Sequence, residues 1–273
     1  MCTTCGCGSD EVRVTAVGTT DAAGEAHGHV HAPGHHHAHE PDQAHGPDLA
    51  HPHEHEDSKR THTIDLEQRI LAKNDRLADQ NRQWLARRGI TAVNLMSSPG
   101  AGKTSLLERT IHDHGAGRPI SVVEGDQETI FDATRIREAG AKAVQINTGA
   151  GCHLDAPMVR SGLEKLEPDD GELVFLENVG NLVCPALFDL GEARKVVVIS
   201  VTEGDDKPLK YPHMFAAADL VVVNKTDLLP HVDFDVDRCE KDARSLNPDL
   251  VWLPLSVRTG DNLATWYAWL RSL

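Results

Sequence analysis

Apolar residues are spread unevenly along this chain. From Met1 to Arg60, Leu49 is the single Leu, Ile, Phe or Trp, and neither a helical nor a strand period is present. From about Ile64 onward the sequence is rich in both. A segment so poor in apolar side chains cannot offset its ordering entropy, so the pattern predicts a disordered arm over 1–63 and one globular domain over 64–273. The domain opens with Ile70, Asn74, Leu77, Asn81 and Leu85 at helical spacing. Asp65 with Gln68 three positions on supplies an N-terminal capping pattern and Gly89 a stop, predicting a helix over 65–88 packed against the domain edge.

Beyond it, short β-rich runs alternate with helical segments. The runs are Thr91 to Met96, Ile120 to Glu124, Ala143 to Asn147, Glu172 to Glu177, Lys195 to Val201, Asp219 to Asn224 and Leu250 to Ser256. Continuous apolar strands separated by helices imply a mostly parallel sheet covered on both faces. That is a doubly wound α/β fold, whose ligands lie at the carboxyl ends of the strands.

The sequence SSPGAGKT, Ser97 to Thr104, follows the first of these strands and precedes a helical run. In that context it is a phosphate loop. Ser98, Pro99, Gly100, Ala101 and Gly102 form the loop, backbone N–H groups around Gly100 to Lys103 can point at the phosphates, Lys103 supplies positive charge near the β and γ groups, and Thr104 offers a hydroxyl to Mg²⁺. The usual motif opens with Gly, where this chain has Ser97. NKTD, with Asn224, Lys225 and Asp227, ends the sixth strand, and a carboxylate at Asp227 matches the two donors of guanine that adenine lacks. Ser256, Val257 and Arg258, after the last strand, fit a segment whose backbone approaches the base.

ELVFLENVGN puts Glu177 at a strand end, where it can hold Mg²⁺ directly or through water, and puts Gly180 where its N–H can sense a γ-phosphate and make the next loop a switch. Asp126 and Asp132 are further candidates for Mg²⁺ or for orienting the attacking water, and each is also a plausible cap or solvated charge. A residue from a second protomer is a third source for that last role.

Composition narrows the class. Of 273 residues 40% are hydrophobic, ample for a packed core, and the formal net charge of −15 without a Lys/Arg cluster argues against nucleic acid as a partner. No apolar run reaches the ~18 residues of a spanning helix and no secretory signal opens the chain, so a cytoplasmic protein without a membrane partner is expected. Three of the six cysteines, Cys2, Cys5 and Cys7, crowd the first seven residues. In a reducing compartment that reads as a metal cluster, with Ni²⁺ and Zn²⁺ both open. Twelve of the 17 histidines, His27, His29, His31, His35, His36, His37, His39, His45, His51, His53, His55 and His62, form a tract suited to weak binding of several borderline ions. In the domain, Cys152 and His153 follow the third strand and Cys184 lies four residues past Gly180. The three can converge on one ion at the strand ends; equally, cysteines serve as small buried apolar side chains.

Taken together, SSPGAGKT, EGDQET, NTGAGCHLDA, ENVGNLVCP, EGDDKPLKYP, NKTDLL and the N-terminal CTTCGC resemble the hydrogenase nickel-incorporation GTPase family, HypB, over nearly the whole chain. The resemblance implies the fold of a P-loop GTPase, GTP hydrolysis, and a GTP-dependent homodimer. It implies strong Ni²⁺ binding at Cys2, Cys5 and Cys7, and a nickel or zinc site at Cys152, His153 and Cys184 near the dimer interface. It further implies work with a HypA-type nickel chaperone to load the large subunit of a nickel-iron hydrogenase. The alternatives are the related urease-type nickel-insertion GTPase, disfavoured by CTTCGC and ENVGNLVCP, and a nickel-storage protein with a vestigial nucleotide site, disfavoured by intact Lys103, Thr104 and Asp227.

Overall fold

In the computed structural model of the chain, residues 13–16, 55–126, 131–149 and 151–273 are described. The chain divides into two units, 1–17 with 69–273, and 18–68. Of the second, the described residues are 55–68, all helical. The Cys2, Cys5 and Cys7 cluster, the histidines from His27 to His53 and most of the predicted arm lie outside the described residues.

Eight strands form one sheet: β1 (Arg13–Ala16), β2 (Thr91–Ser97), β3 (Ile120–Asp126), β4 (Lys142–Asn147), β5 (Leu173–Gly180), β6 (Arg194–Ser200), β7 (Leu220–Asn224) and β8 (Val251–Pro254), in the order β1-β4-β3-β5-β2-β6-β7-β8. All pairs are parallel except β1 with β4. From β2 the chain moves outward to β3 and β4, returns with β5 to the side of β2, and then runs the other way. The reversal opens a crevice at the carboxyl ends of β2, β5 and β6.

Side chains of successive strand residues point to opposite faces, and the core divides accordingly. On one face Val93, Leu95, Phe175, Val196 and Val222 pack under α2 (Lys103–His112), α3 (Phe131–Glu138) and α8 (Leu263–Arg271). On the other, Ala92, Val174 and Leu176 pack under α1 (His55–Arg87) and α4 (Ala156–Leu166). Val197, Ile199, Val221 and Val223 pack there under α6 (Pro212–Ala216) and α7 (Val236–Leu246). Short α5 (Lys207–Lys210) precedes α6.

Four expectations need correction. The helix runs His55–Arg87 rather than 65–88, so Asp65 is inside it and His55 and His62 are helical rather than part of the arm. No Gly or Pro lies between Pro52 and Gly89, so nothing stops the helix from extending backward past the capping pattern. Ile70, counted on the buried stripe, is 48% exposed; Ala78 is buried there instead. The strand Arg13–Ala16 falls in a stretch taken as devoid of strand period, because four residues are too few for alternation to register. Finally, β5 continues to Gly180, so Glu177 sits within the strand and not at its end. Between Glu177 and Gly180 β5 carries one residue more than β2 does between Leu95 and Ser97, and the register shifts there.

Candidate functional site

Ser97 closes β2, and the chain turns through Ser98–Gly102 into α2. Gly102 caps that helix at φ 102°. A Cβ there would lie 2.5 Å from Asn224 Nδ2, so glycine is required both by conformation and by close approach. Lys103 is desolvated, which lowers its pKa against the pull of Glu177, and its Nζ donates to Ser97 Oγ at 2.7 Å. Ser97, the departure from the usual motif, therefore holds the lysine, and its own hydroxyl donates to Ser98 O at 2.6 Å. Ser98 Oγ donates to Glu203, which also pairs with Lys207 at 2.9 Å.

Thr104 Oγ1 donates to Glu177 Oε1 at 2.7 Å, while Glu177 Oε2 is buried with no hydrogen-bond partner among the described residues. Burial raises the Glu177 pKa and Lys103 opposes it. Glu124 stands opposite Glu177 in the β3–β5 register, and its Oε2 too lacks a hydrogen-bond partner among the described residues. Desolvation, then the charge of Glu177, pushes Glu124 up to about 9. Asp126 and Asp132 add to the negative field at Lys103. Asp132 Oδ1 also accepts from Arg135 Nη1 at 3.0 Å, and Arg135 in turn binds Glu108. Two buried, unsatisfied carboxylate oxygens beside a threonine hydroxyl are a hard donor set of the type Mg²⁺ takes, so these residues fit that ion.

At the far end of the loop, Asn224 joins three segments. Its Nδ2 donates to Ala101 O at 2.9 Å, and its Oδ1 accepts from Lys225 N at 2.7 Å and Val257 N at 3.3 Å. Lys225, in the left-handed region at φ 63°, donates from Nζ to Gly100 O at 2.7 Å. Asp227 accepts from Ser256 Oγ at 2.7 Å and from Arg258 Nη1 at 3.4 Å. The Ser256 bond is the chief cause of its lowered pKa. Arg258 is largely exposed, so its partner oxygen can be released to a base.

Past β4 and past β5 lie the two segments bearing soft ligands. Cys152 Sγ is 3.0 Å from Cys184 Sγ and 3.7 Å from His153 Nδ1, and the three ligand atoms lie within 4.8 Å of one another. His153 stacks on Phe188 with ring centroids 3.9 Å apart, and desolvation lowers its pKa, favouring the neutral, ligating form. Gly180 lies against the phosphate loop: a Cβ on it would be 3.1 Å from Pro99 Cα. The next residue, Asn181, donates from Nδ2 to Cys152 O at 3.3 Å. Asn178, one residue after Glu177, accepts the Leu154 N–H at 2.9 Å. Both segments that carry these soft ligands are thus tied to the strand that reaches the phosphate loop.

A family model described as CobW/HypB/UreG, nucleotide-binding domain, matches residues 91–254. Hydrogenase maturation factor HypB of Rhizobium leguminosarum bv. viciae is 60% identical over 207 residues, 76% of this chain and 69% of that protein. The chain belongs to the HypB family. Hydrogenase maturation factor HypB of Escherichia coli strain K12 is 52% identical over 209 residues, 77% of this chain and 72% of its own length. The crystal structure of the HypB from Archaeoglobus fulgidus superposes with a TM-score of 0.69 at 44% identity, covering 74% of this chain and 98% of that one. HypB from Helicobacter pylori in complex with nickel gives a TM-score of 0.69 at 39% identity, over 73% of this chain and 94% of that one.

Sequence reasoning passed over Glu124, Asn178 and Glu203. Glu124 reads as one more residue of an apolar strand, and its proximity to Glu177 needs the strand order. Among the described residues no helix is long and apolar enough to cross a membrane.

The geometry around Gly102 yields a direct expectation. Gly102→Ala places a methyl on Asn224 at a φ that L-residues rarely adopt, so nucleotide binding is lost while the fold, measured by circular dichroism, persists. Nucleotide affinity by calorimetry checks it, and unchanged affinity contradicts the assignment of this loop.

Proposed function

We propose that the chain is a GTP-hydrolysing nickel carrier for the maturation of nickel-iron hydrogenase, with nickel as cargo. The observation that carries this reading is the placing of Cys152, His153 and Cys184 at one end of a strand whose neighbouring residues reach the phosphate loop. The nickel complex of the Helicobacter pylori relative supports the choice of ion.

In this reading Lys103 leaves Ser97 for the β- and γ-phosphates, and the loop from Ser98 to Thr104 binds the phosphate chain. Thr104, Glu177 and Asp126 hold Mg²⁺, which when bound neutralises phosphate charge. Asp126 and Asp132 are the candidates for orienting the attacking water. Asp227 exchanges Arg258 for the guanine donors, and Asn224, Lys225, Ser256 and Val257 frame the base. Gly180 senses the γ-phosphate and moves the segment bearing Cys184. Val183 and Leu187, exposed on either side of Cys184, suit burial in a GTP-dependent homodimer. Cys2, Cys5 and Cys7, ahead of β1, form the tighter thiolate site, and the His27–His62 tract, whose last two histidines lie in α1, a weaker nickel reserve. Zn²⁺ competes for the thiolate sites. A HypA-type chaperone and the hydrogenase large subunit are the cytoplasmic partners.

Guanine selectivity tests the nucleotide half. Asp227→Ala removes hydrogen bonds to a charged acceptor and is expected to cost about 1.5–3 kcal/mol of GTP affinity. Lys103→Ala is expected to abolish turnover with the fold retained. ATP bound as tightly as GTP, or normal hydrolysis by the lysine variant, contradicts the reading.

Coupling tests the other half. In the full chain carrying Cys2→Ser, Cys5→Ser and Cys7→Ser, the thiolate-to-nickel charge-transfer band reports Cys152 and Cys184, because Cys239 is buried and its thiol is pushed up to about 12. Nickel affinity read from that band is expected to differ between GDP and a non-hydrolysable GTP analogue, and by linkage nickel shifts the GTP/GDP preference by the same factor. Cys184→Ala is expected to abolish the difference; equal affinities in both nucleotide states contradict the switch.

A further inference from the structure

The segments that carry the soft ligands are held from two sides. Toward the phosphate loop the ties come from β5, through Asn178 and Asn181. On the opposite side they come from α1. Asn74 Oδ1 accepts the Ala156 N–H at 2.9 Å, and its Nδ2 donates to Asp189 O at 2.7 Å. Asn81 Nδ2 donates to Ala156 O at 2.9 Å and to Leu190 O at 3.1 Å. Ala156 is three residues past His153, and Asp189 adjoins Phe188, on which His153 stacks.

Asn74 and Asn81 lie seven residues apart on one helical stripe and are 5% and 1% exposed. Buried amides at such positions contribute only if their polar atoms are bonded. Here those bonds run to the segment after Cys152 and His153 and to the segment after Cys184, and each asparagine bridges both. The Ala156 peptide has its N–H taken by one and its C=O by the other. Gly191 lets this approach happen: at φ 88° it lies so close to α1 that a Cβ would fall 2.5 Å from Ala78 O. Arg82 adds an ion pair to Asp189 at 2.6 Å.

We propose that Asn74 and Asn81 are positioning residues of the nickel site: by bridging Ala156 to the carbonyls of Asp189 and Leu190, they set the separation of the two segments that bring Cys152 and His153 to Cys184. Neither amide touches the ion. They act through the backbone, so their loss widens the range of ligand separations and weakens the site without removing a ligand. The proposal rests on the reading of Cys152, His153 and Cys184 as that site.

The test uses the full chain with Cys2→Ser, Cys5→Ser and Cys7→Ser, NiCl₂ as the probe, and the thiolate-to-nickel band as readout. Asn74→Leu and Asn81→Leu, nearly isosteric, are each expected to weaken nickel binding roughly 10–100-fold and shift the band, as loss of ligand-orienting partners does elsewhere, with GTP affinity of the metal-free protein unchanged. Asn74→Ser, which retains a donor and an acceptor on a shorter stem, is expected to fall between and serves if the leucine variants do not fold. Leu85→Ala empties apolar space under the same helix and is expected to lower the melting temperature with near-parental nickel affinity. Parental affinity and band in the asparagine variants, measured well below their melting temperatures, would overturn the proposal, as would an equal loss in Leu85→Ala. A parental band that survives Cys184→Ala would instead overturn the site reading itself.

Discussion

The pairing of β5 between β3 and β2 is the constraint on which the rest of the molecule depends. Hydrogen-bonded on both sides from Leu173 to Glu177, the strand cannot rotate there, and its register with β2 shifts by one residue between Glu177 and Gly180. Glu177 therefore meets Thr104 under the phosphate loop, Asn178 reaches the Leu154 N–H on the other face, and Gly180 arrives at Pro99. From Glu177 to Gly180 one element touches Thr104 of the phosphate-loop helix, the phosphate loop itself and the segment after β4 that carries Cys152 and His153. The segment bearing Cys184 is its direct continuation.

Buried charge makes that arrangement responsive. Lys103 is desolvated and held on a serine hydroxyl, while Glu124 and Glu177 each keep a buried oxygen without a partner among the described residues. Such groups are costly as they stand, and phosphate with a divalent cation offers each of them a partner. Binding energy is thereby available to move a neighbouring loop, and the loop within reach is the one that starts at Gly180.

Much of this was legible in the sequence because it is written in local patterns. The seven parallel strands follow from continuous apolar runs, and the phosphate loop from a motif in its strand-to-helix context. What was not legible depends on pairing between distant segments. The continuation of β5 to Gly180 is visible only in its register with β2, and the burial of Glu124 only in the strand order. Asn74 and Asn81 stood on the predicted stripe, but their partners at 156, 189 and 190 belong to loops whose position only the assembled fold defines. The strand Arg13–Ala16 was missed because its partner, β4, not its own composition, gives it a place.

The central claim is that the nucleotide alters the ligand set that Cys184 completes. Nickel-edge X-ray absorption on the full chain with Cys2→Ser, Cys5→Ser and Cys7→Ser, loaded with less than one equivalent of nickel, reads sulfur ligands directly. Spectra with GDP and with a non-hydrolysable GTP analogue are predicted to differ in sulfur coordination, and Cys184→Ala to remove that difference. Identical sulfur coordination in the two nucleotide states would contradict the account.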